Sequence, residues 1–368
     1  MSYLILLLAA VIIAFGFVVY WLSGRYIQLF KVDIKCTKFR IIRAAVAVLL
    51  TALCGIFRIG LLIVLHLLVL WGVCELVRVV LRSILKHRKE TKSYSVLRTV
   101  YRFGIVPILL IAVLFTYGYF NMNTVHQTRY EIASDELSRD YRIVFISDTH
   151  YGTIQSPELL KEKADEINNL NPDLVILGGD IVEEGTDKAE MQEVFERLGN
   201  IESVYGTYFV YGNHDRQRYT SEPEYTEDEL ADTVSKNGIT ILKENYIELG
   251  DDILLVGRED LGSKKDRIDP ELLLNGADTD RFILVADHQP NNVKSNVEYG
   301  ADLQLSGHTH GGQMLPLGWM TFMYNGYVYG QYQEADTDII VSSGFAGWGF
   351  SIRTQGISEY VVVDLLAE

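Results

Sequence analysis

The segment Tyr141-Arg142-Ile143-Val144-Phe145-Ile146-Ser147-Asp148-Thr149-His150 sets the pattern for the larger part of the chain. Arg142–Ile146 is a short apolar run of strand type, and it ends in a polar turn that carries an acid and an imidazole. Pro157–Asn168 follows with helical periodicity, and Leu174–Leu177 then leads into Gly178-Gly179-Asp180. The unit repeats: Met191–Leu198 is helical, and Tyr208–Tyr211 leads into Gly212-Asn213-His214-Asp215. Asp148 to Asp180 is 32 residues and Asp180 to Asn213 is 33, about one strand–helix–strand unit each. Such alternation predicts an α/β fold whose polar turns lie at the carboxyl edge of a parallel sheet, where open sheets bind ligands.

Two later runs end in the same way. Phe282–Ala286 leads into Asp287-His288, and Leu303–Ser306 into Gly307-His308-Thr309-His310-Gly311-Gly312-Gln313. A lone Asp-x-His arises by chance, and a buried histidine is more often a hydrogen-bonded core residue than a ligand. The ordered set decides otherwise, because these five turns hold five of the eight histidines, the others being His66, His87 and His126. Carboxylates, an amide and imidazoles on strand ends suit two hard-to-borderline divalent cations, with a shared carboxylate screening their repulsion. Glycine in the turns permits positive φ and close backbone approach.

Charge divides the chain near residue 120. Residues 1–120 carry 15 Lys and Arg against three acids, net +12, whereas residues 121–368 carry 18 against 45, net −27. The acidic part cannot hold nucleic acid by bulk attraction, which argues against a nucleic-acid-binding protein or a nuclease. The three cysteines, Cys36, Cys54 and Cys74, all fall in the first part, so metal chemistry in the second must use nitrogen and oxygen ligands.

The first part reads as a four-helix membrane anchor. Residues 4–22 form a run of 19 without a charge, long enough to cross the hydrocarbon core. The run lacks a basic leader and is followed by basic residues rather than a cleavage site, which separates it from a signal peptide. Residues 41–57 and 59–80, separated by Arg58, predict a helical hairpin, with Arg43, Glu75 and Arg78 near enough to the ends to reach headgroups. A fourth span is expected at 103–120. His66 lies mid-span without a second ionisable partner and reads as a neutral histidine bonded to a neighbouring helix. The basic loops 23–40 and 81–102 are expected on the cytoplasmic side, which places residues 121–139, read as a linker, and the domain 140–368 outside the cytoplasm.

The ordered set Asp148-x-His150, Gly179-Asp180, Gly212-Asn213-His214-Asp215, His288 and Gly307-His308-Thr309-His310 resembles the calcineurin-like metallophosphoesterase superfamily over about residues 140–368. Asp287-His288-Gln289-Pro290, the run 307–313, and Gly347-Trp348-Gly349 through Ile352-Arg353 to Ser358-Glu359-Tyr360 are similar to its bacterial membrane-associated branch, which includes UDP-diacylglucosamine pyrophosphatases. The resemblance implies a four-layer αββα sandwich of two mixed sheets. It implies that Asp148, His150 and His310 hold one divalent metal, that Asn213, His288 and His308 hold a second, and that Asp180 bridges them, with Mn, Fe or Zn as the cations. His214 would protonate the leaving oxygen or stabilise the transition state, with Asp215 orienting it. Residue 183 is Glu where the family commonly has Asp, which leaves a role for Glu183 behind the ligands open.

The expected protein is thus a membrane-anchored dinuclear-metal phosphoesterase that hydrolyses a phosphodiester or pyrophosphate, lipid-linked forms included, through a hydroxide held between the cations. A phosphomonoesterase of the same mechanism and a non-catalytic metal- or ligand-sensing surface protein are the alternatives. Residues 315–332 contain many aromatics and follow the ligand run directly; they read equally as a membrane-dipping lip for a lipid-linked phosphate and as packing for the end of the core. Arg353 reads as a bidentate phosphate contact or a structural ion pair. Glu222–Glu229 reads as a solvated surface loop.

Overall fold

The computed structural model describes residues 10, 13–21, 23–24, 27, 36–56, 58–84, 105–263, 267–315 and 317–368. The chain divides into two compact units, Met1–Thr116 and Tyr117–Glu368. In the first, helices α1 (Thr37–Ile56) and α2 (Arg58–Ile84) occupy the expected second and third spans and contact each other. Helix α3 (Ile105–Met122) occupies the fourth and ends inside the second unit. Of the first expected span, 4–22, residues 10 and 13–21 are described and are helical, and the rest lies outside the described residues. Among the described residues α3 alone is long and apolar enough to cross a membrane, with 18 residues of mean hydropathy 1.9. Arg43, expected to reach toward headgroups, is buried instead: its guanidinium lies 4.0 Å over the Tyr20 ring and donates to the Tyr20 carbonyl. His66 bonds within its own helix, Nδ1 lying 2.9 Å from Leu62 O, and meets the Phe115 ring edge-on at 5.2 Å.

The second unit is built on two six-stranded mixed sheets. The strands are β1 (Val125–Ser134), β2 (Tyr141–Ile146), β3 (Leu174–Leu177), β4 (Thr207–Phe209), β5 (Ile239–Ile241), β6 (Asn245–Leu249), β7 (Ile253–Gly257), β8 (Phe282–Ala286), β9 (Leu303–Ser306), β10 (Gly330–Glu334), β11 (Thr337–Val341) and β12 (Ser358–Ala367). Sheet A runs β1-β12-β2-β3-β4-β5, with β2 to β5 parallel; sheet B runs β10-β11-β9-β8-β7-β6, with β7, β8, β9 and β11 parallel.

Alternation along the strands sorts the side chains into layers. Ile143, Phe145, Ile176 and Tyr208 of sheet A pack with Leu255, Leu284, Leu305 and Ile340 of sheet B. Their neighbours Val144, Ile146, Val175 and Leu177 turn outward to meet Leu160, Met191, Phe195, Leu198, Leu230 and Val234. Those residues come from helices α4 (Pro157–Asn168), α5 (Lys188–Gly199) and α6 (Glu227–Lys236), which begin at side-chain caps Ser156, Asp187 and Thr226. The outer face of sheet B is covered through Leu273, Ala301 and Val293. The result is the expected sandwich.

Two expectations change. Residues 121–139 are not a free linker, because β1 occupies ten of them and pairs in parallel with the whole of β12. Half of its residues are exposed and only two are buried, as befits an edge strand paired on one side, so it lacks the apolar run of an interior strand. Of the acidic stretch 222–229, residues 222–226 form the expected loop, whereas Glu227 starts α6 and Glu229 closes a capping box with Thr226.

Candidate functional site

β2, β3 and β4 are neighbours in sheet A, and β8 and β9 in sheet B, so all five ligand-bearing turns emerge at one edge. Backbone hydrogen bonds stitch them together: Asp148 N to Gly179 O at 2.9 Å, His150 N to Asp180 O at 3.1 Å, and Gly307 N to His288 O at 2.9 Å. Asp148, His150, Asp180, His308 and His310 all adopt positive φ, between 40° and 69°, a region that non-glycine residues enter mainly at sites held by their surroundings. Glycine is required beside them, since a Cβ at Gly212 would collide with Asp180 Oδ1 and one at Gly307 with Asp148 Oδ2.

Glu183, Glu184 and His214 form one group that could hold a metal ion; the remaining side chains gather into two largely buried clusters, Asp148 with His150 and His310, and Asp180 with His288 and His308, and within each group the ligand atoms lie within 4.8 Å of one another. Asp180 Oδ2 stands between these two clusters, 3.1 Å from His288 Nε2 and 4.0 Å from His150 Nε2. Two ligands of one cation, each about 2.1 Å from it and at right angles, lie about 3 Å apart.

Three of the imidazoles are turned the same way. Nδ1 faces Gly178 O at 2.8 Å in His288 and Ala346 O at 3.2 Å in His310, and in His150 it lies 3.1 Å from Glu183 Oε2 without hydrogen-bond geometry. With the proton on Nδ1, each Nε2 offers a lone pair toward the carboxylates. Glu183 stands beside His150. Both ring nitrogens of His150, His288 Nε2, Asp180 Oδ2 and Asn213 Oδ1 are buried without a hydrogen-bond partner. Buried polar atoms are otherwise paired. Orphans converging from several loops fit a bound divalent cation, and the nitrogen and oxygen donors suit Mn, Fe or Zn.

Electrostatics agrees. Burial pushes His308 down to about 4 and His310 to about 3, which keeps both imidazoles neutral as ligands must be. Burial opposes charge on His288 too, but Asp180 outweighs it and holds the ring well above its usual value. The pair favours positive charge at a place closed to water.

His214 lies beside the clusters. Its backbone N–H donates to Asp180 Oδ1 at 2.8 Å, and its ring packs near His150 at 5.5 Å, Tyr219 at 5.1 Å and Trp348 at 5.5 Å. The orienting acid is not Asp215. His214 Nδ1 lies 2.6 Å from Glu184 Oε2, while Asp215 turns away and accepts from the N–H groups of Asp180, Ile181, Val182 and Gly212 at 2.6–3.2 Å. Burial and nearby Asp180 raise the Asp215 carboxyl to about 6. Burial disfavours the charged His214 ring, but Glu184 and Asp180 raise its pKa on balance. Glu184 had one sequence signal, its place just beyond the Gly-Asp turn.

Among the described residues Arg353 makes no ion pair. It is fully buried and donates to the carbonyls of His310, Ser343 and Ala346 at 2.8–2.9 Å. Burial lowers it to about 10.

Comparison with known proteins matches this geometry. The profile of the calcineurin-like phosphoesterase family matches residues 141–312. An uncharacterized metallophosphoesterase of Helicobacter pylori J99 is 30% identical over 237 residues, 63% of this chain and 61% of that protein, so this chain spans less than two thirds of that relative. A metallophosphoesterase of Campylobacter jejuni is 28% identical over 75% of this chain and 73% of its own length. A Danio rerio protein named as a transmembrane protein with metallophosphoesterase domain is 28% identical over 76% of this chain and 66% of its own length. Residues 141–312 are thus similar in sequence to the calcineurin-like phosphoesterases, and they carry the paired His/Asp clusters on the ends of two mixed sheets.

Proposed function

We propose that the chain is a membrane-anchored, metal-dependent hydrolase of phosphodiesters or pyrophosphates. Asp148, His150 and His310 hold one divalent cation, Asn213, His288 and His308 hold another, and Asp180 contacts both. The observation that carries this reading is Asp180 Oδ2, buried, without a hydrogen-bond partner, and set between imidazole nitrogens of the two clusters. Two cations so held supply Lewis acidity at a phosphoryl oxygen and an activated water at neutral pH. They also supply the positive charge that a domain of net −27 lacks for binding a phosphate.

The protein's own part is positioning and proton transfer. His214, flanked by exposed Tyr219 and Trp348, stands where a leaving group departs toward solvent and gives that oxygen its proton. Glu184 holds the ring through Nδ1, which leaves Nε2 for the substrate. A proton donor matters most when the leaving group is a poor one, as in an alkyl phosphodiester. The pyrophosphate option rests on the likeness of 287–290, 307–313 and 347–360 to the UDP-diacylglucosamine pyrophosphatases.

The basic loops 23–40 and 81–102 support a four-pass anchor with the catalytic unit on the extracytoplasmic side. The hydrolase reading is tested by loading the full-length protein with Mn, Zn or Fe and comparing a phosphomonoester, a phosphodiester and a nucleotide-sugar-lipid pyrophosphate. The diester or pyrophosphate is expected to lead. His214→Ala is expected to lower that turnover about 10²-fold with metal content unchanged. Absence of hydrolysis with every metal would instead leave a metal- or ligand-sensing module.

A further inference from the structure

Helix α7 (Pro270–Leu273) and helix α8 (Val293–Glu298) sit on sheet B, whereas α9 (Leu317–Asn325) presents large apolar groups to solvent. Trp319 is 70% exposed, Phe322 54% and Met323 78%, with Leu315 exposed just before them. Exposed apolar residues grouped in this way mark an interaction surface.

The surroundings of α9 say what covers it. A Cβ at Gly318 would collide with Gln355, and Leu315 N donates to Thr354 Oγ1 at 3.0 Å, so α9 starts against the loop 352–356. The same loop is bonded to the end of α3, the helix apolar enough to cross a membrane: Arg353 N donates to Gly118 O at 2.9 Å, and Asn121 Nδ2 to Arg353 O at 3.1 Å and Gly356 O at 2.9 Å. One loop thus joins the place where the chain leaves α3 to the base of the exposed apolar helix. From there Gln313 Oε1 accepts from Trp348 N at 2.9 Å, and the Trp348 ring packs near His214.

The segments that form this surface are poor in charge. No Asp, Glu, Lys or Arg occurs in 117–128, 303–333 or 339–352, although residues 121–368 carry 63 such residues at net −27. An acidic domain can approach a bilayer of anionic lipid only through a face without like charge. Tryptophan and phenylalanine in segments without charged residues suit the headgroup–acyl boundary.

We infer that α9 dips into the bilayer surface at the end of the unit where the chain enters through residues 117–122, so that the metal-cluster edge opens at the membrane and takes phosphoesters of membrane lipids as substrates. The substrate class rests on the hydrolase reading above; the membrane contact does not.

The test uses the full-length protein in nanodiscs. Lipids brominated near the headgroup end of the acyl chain should quench the Trp319 emission, obtained as the difference between wild type and Trp319→Phe, by at least half. An unquenched difference spectrum would overturn the membrane contact and leave the face to a protein partner. With manganese bound, the double variant Trp319→Ser, Phe322→Ser is expected to hydrolyse a lipid phosphodiester in the same disc at least tenfold more slowly. Its rate on soluble bis(p-nitrophenyl) phosphate should stay within twofold of wild type. Equal effects on both substrates, or none on the lipid, would overturn the substrate class. Hydrolysis of neither substrate by wild type would overturn the hydrolase reading, with the quenching result still deciding the contact.

Discussion

The two sheets bring different chemistry to their common edge and secure it by opposite means. Sheet A supplies both aspartates, Asn213 and His150, and its loops are tied by a buried anion, Asp215, which draws in four backbone N–H groups. Sheet B supplies His288, His308 and His310, and the loops after β9 and β11 are tied by a buried cation, Arg353, which donates to three backbone carbonyls. Neither tie belongs to a metal cluster. The comparison separates charges that hold backbone from charges that face the reaction, and it shows that each cluster draws ligands from both sheets. The clusters exist only while the sandwich is closed, so bound metal should stabilise the packing of one sheet on the other.

Asp180 is where the two halves join, and its loss should have the largest effect. Asp180→Asn is expected to reduce turnover by ~10³-fold or more and to lower the content of both metals, measured by elemental analysis. Loss of one metal with the other at full occupancy would break the shared-carboxylate part of the comparison.

The tie in sheet A comes next. Asp215→Ala strands four buried N–H groups and should cost on the order of 3 kcal/mol, seen as a fall of about 10 °C in melting temperature. Arg353→Met should cost less, about 2 kcal/mol, because carbonyls tolerate a missing partner better than N–H groups and because removing a buried guanidinium also relieves its desolvation. An equal or reversed order would show that the two ties are not the counterparts described.

The smallest effect is expected where the tie acts on a side chain rather than on backbone. Glu184→Gln should lower kcat about tenfold with a poor leaving group, leave KM in place, and scarcely change the rate with an activated one. A rise in KM, or a like fall with both leaving groups, would move Glu184 from orienting His214 to binding substrate.

Much of this site was legible in the sequence because its signals are local. Each ligand turn follows an apolar run within a few residues, and Gly179, Gly212 and Gly307 mark where backbone and carboxylate crowd together. The roles of charged neighbours were not legible. Asp215 is adjacent to His214 in sequence, yet the tight turn points the two side chains apart, and the ring finds Glu184 from 30 residues earlier. Arg353 suggested an anion partner and has carbonyls instead, a choice made by burial and invisible in a string of residues. β1 escaped notice because an edge strand needs little apolar surface, and Arg43 because the Tyr20 ring and carbonyl that receive it are 23 residues away.

The positive φ angles at Asp148, His150, Asp180, His308 and His310 limit the choice of ligand before any cation is considered. Asp, Asn and His are the side chains, glycine apart, that most readily occupy that conformation. Glutamate or cysteine could offer a cation comparable donors, but each would add backbone strain at these positions. The alphabet available to this centre is therefore set twice, by what binds a divalent ion and by what can stand in a left-handed turn, and few residue types satisfy both.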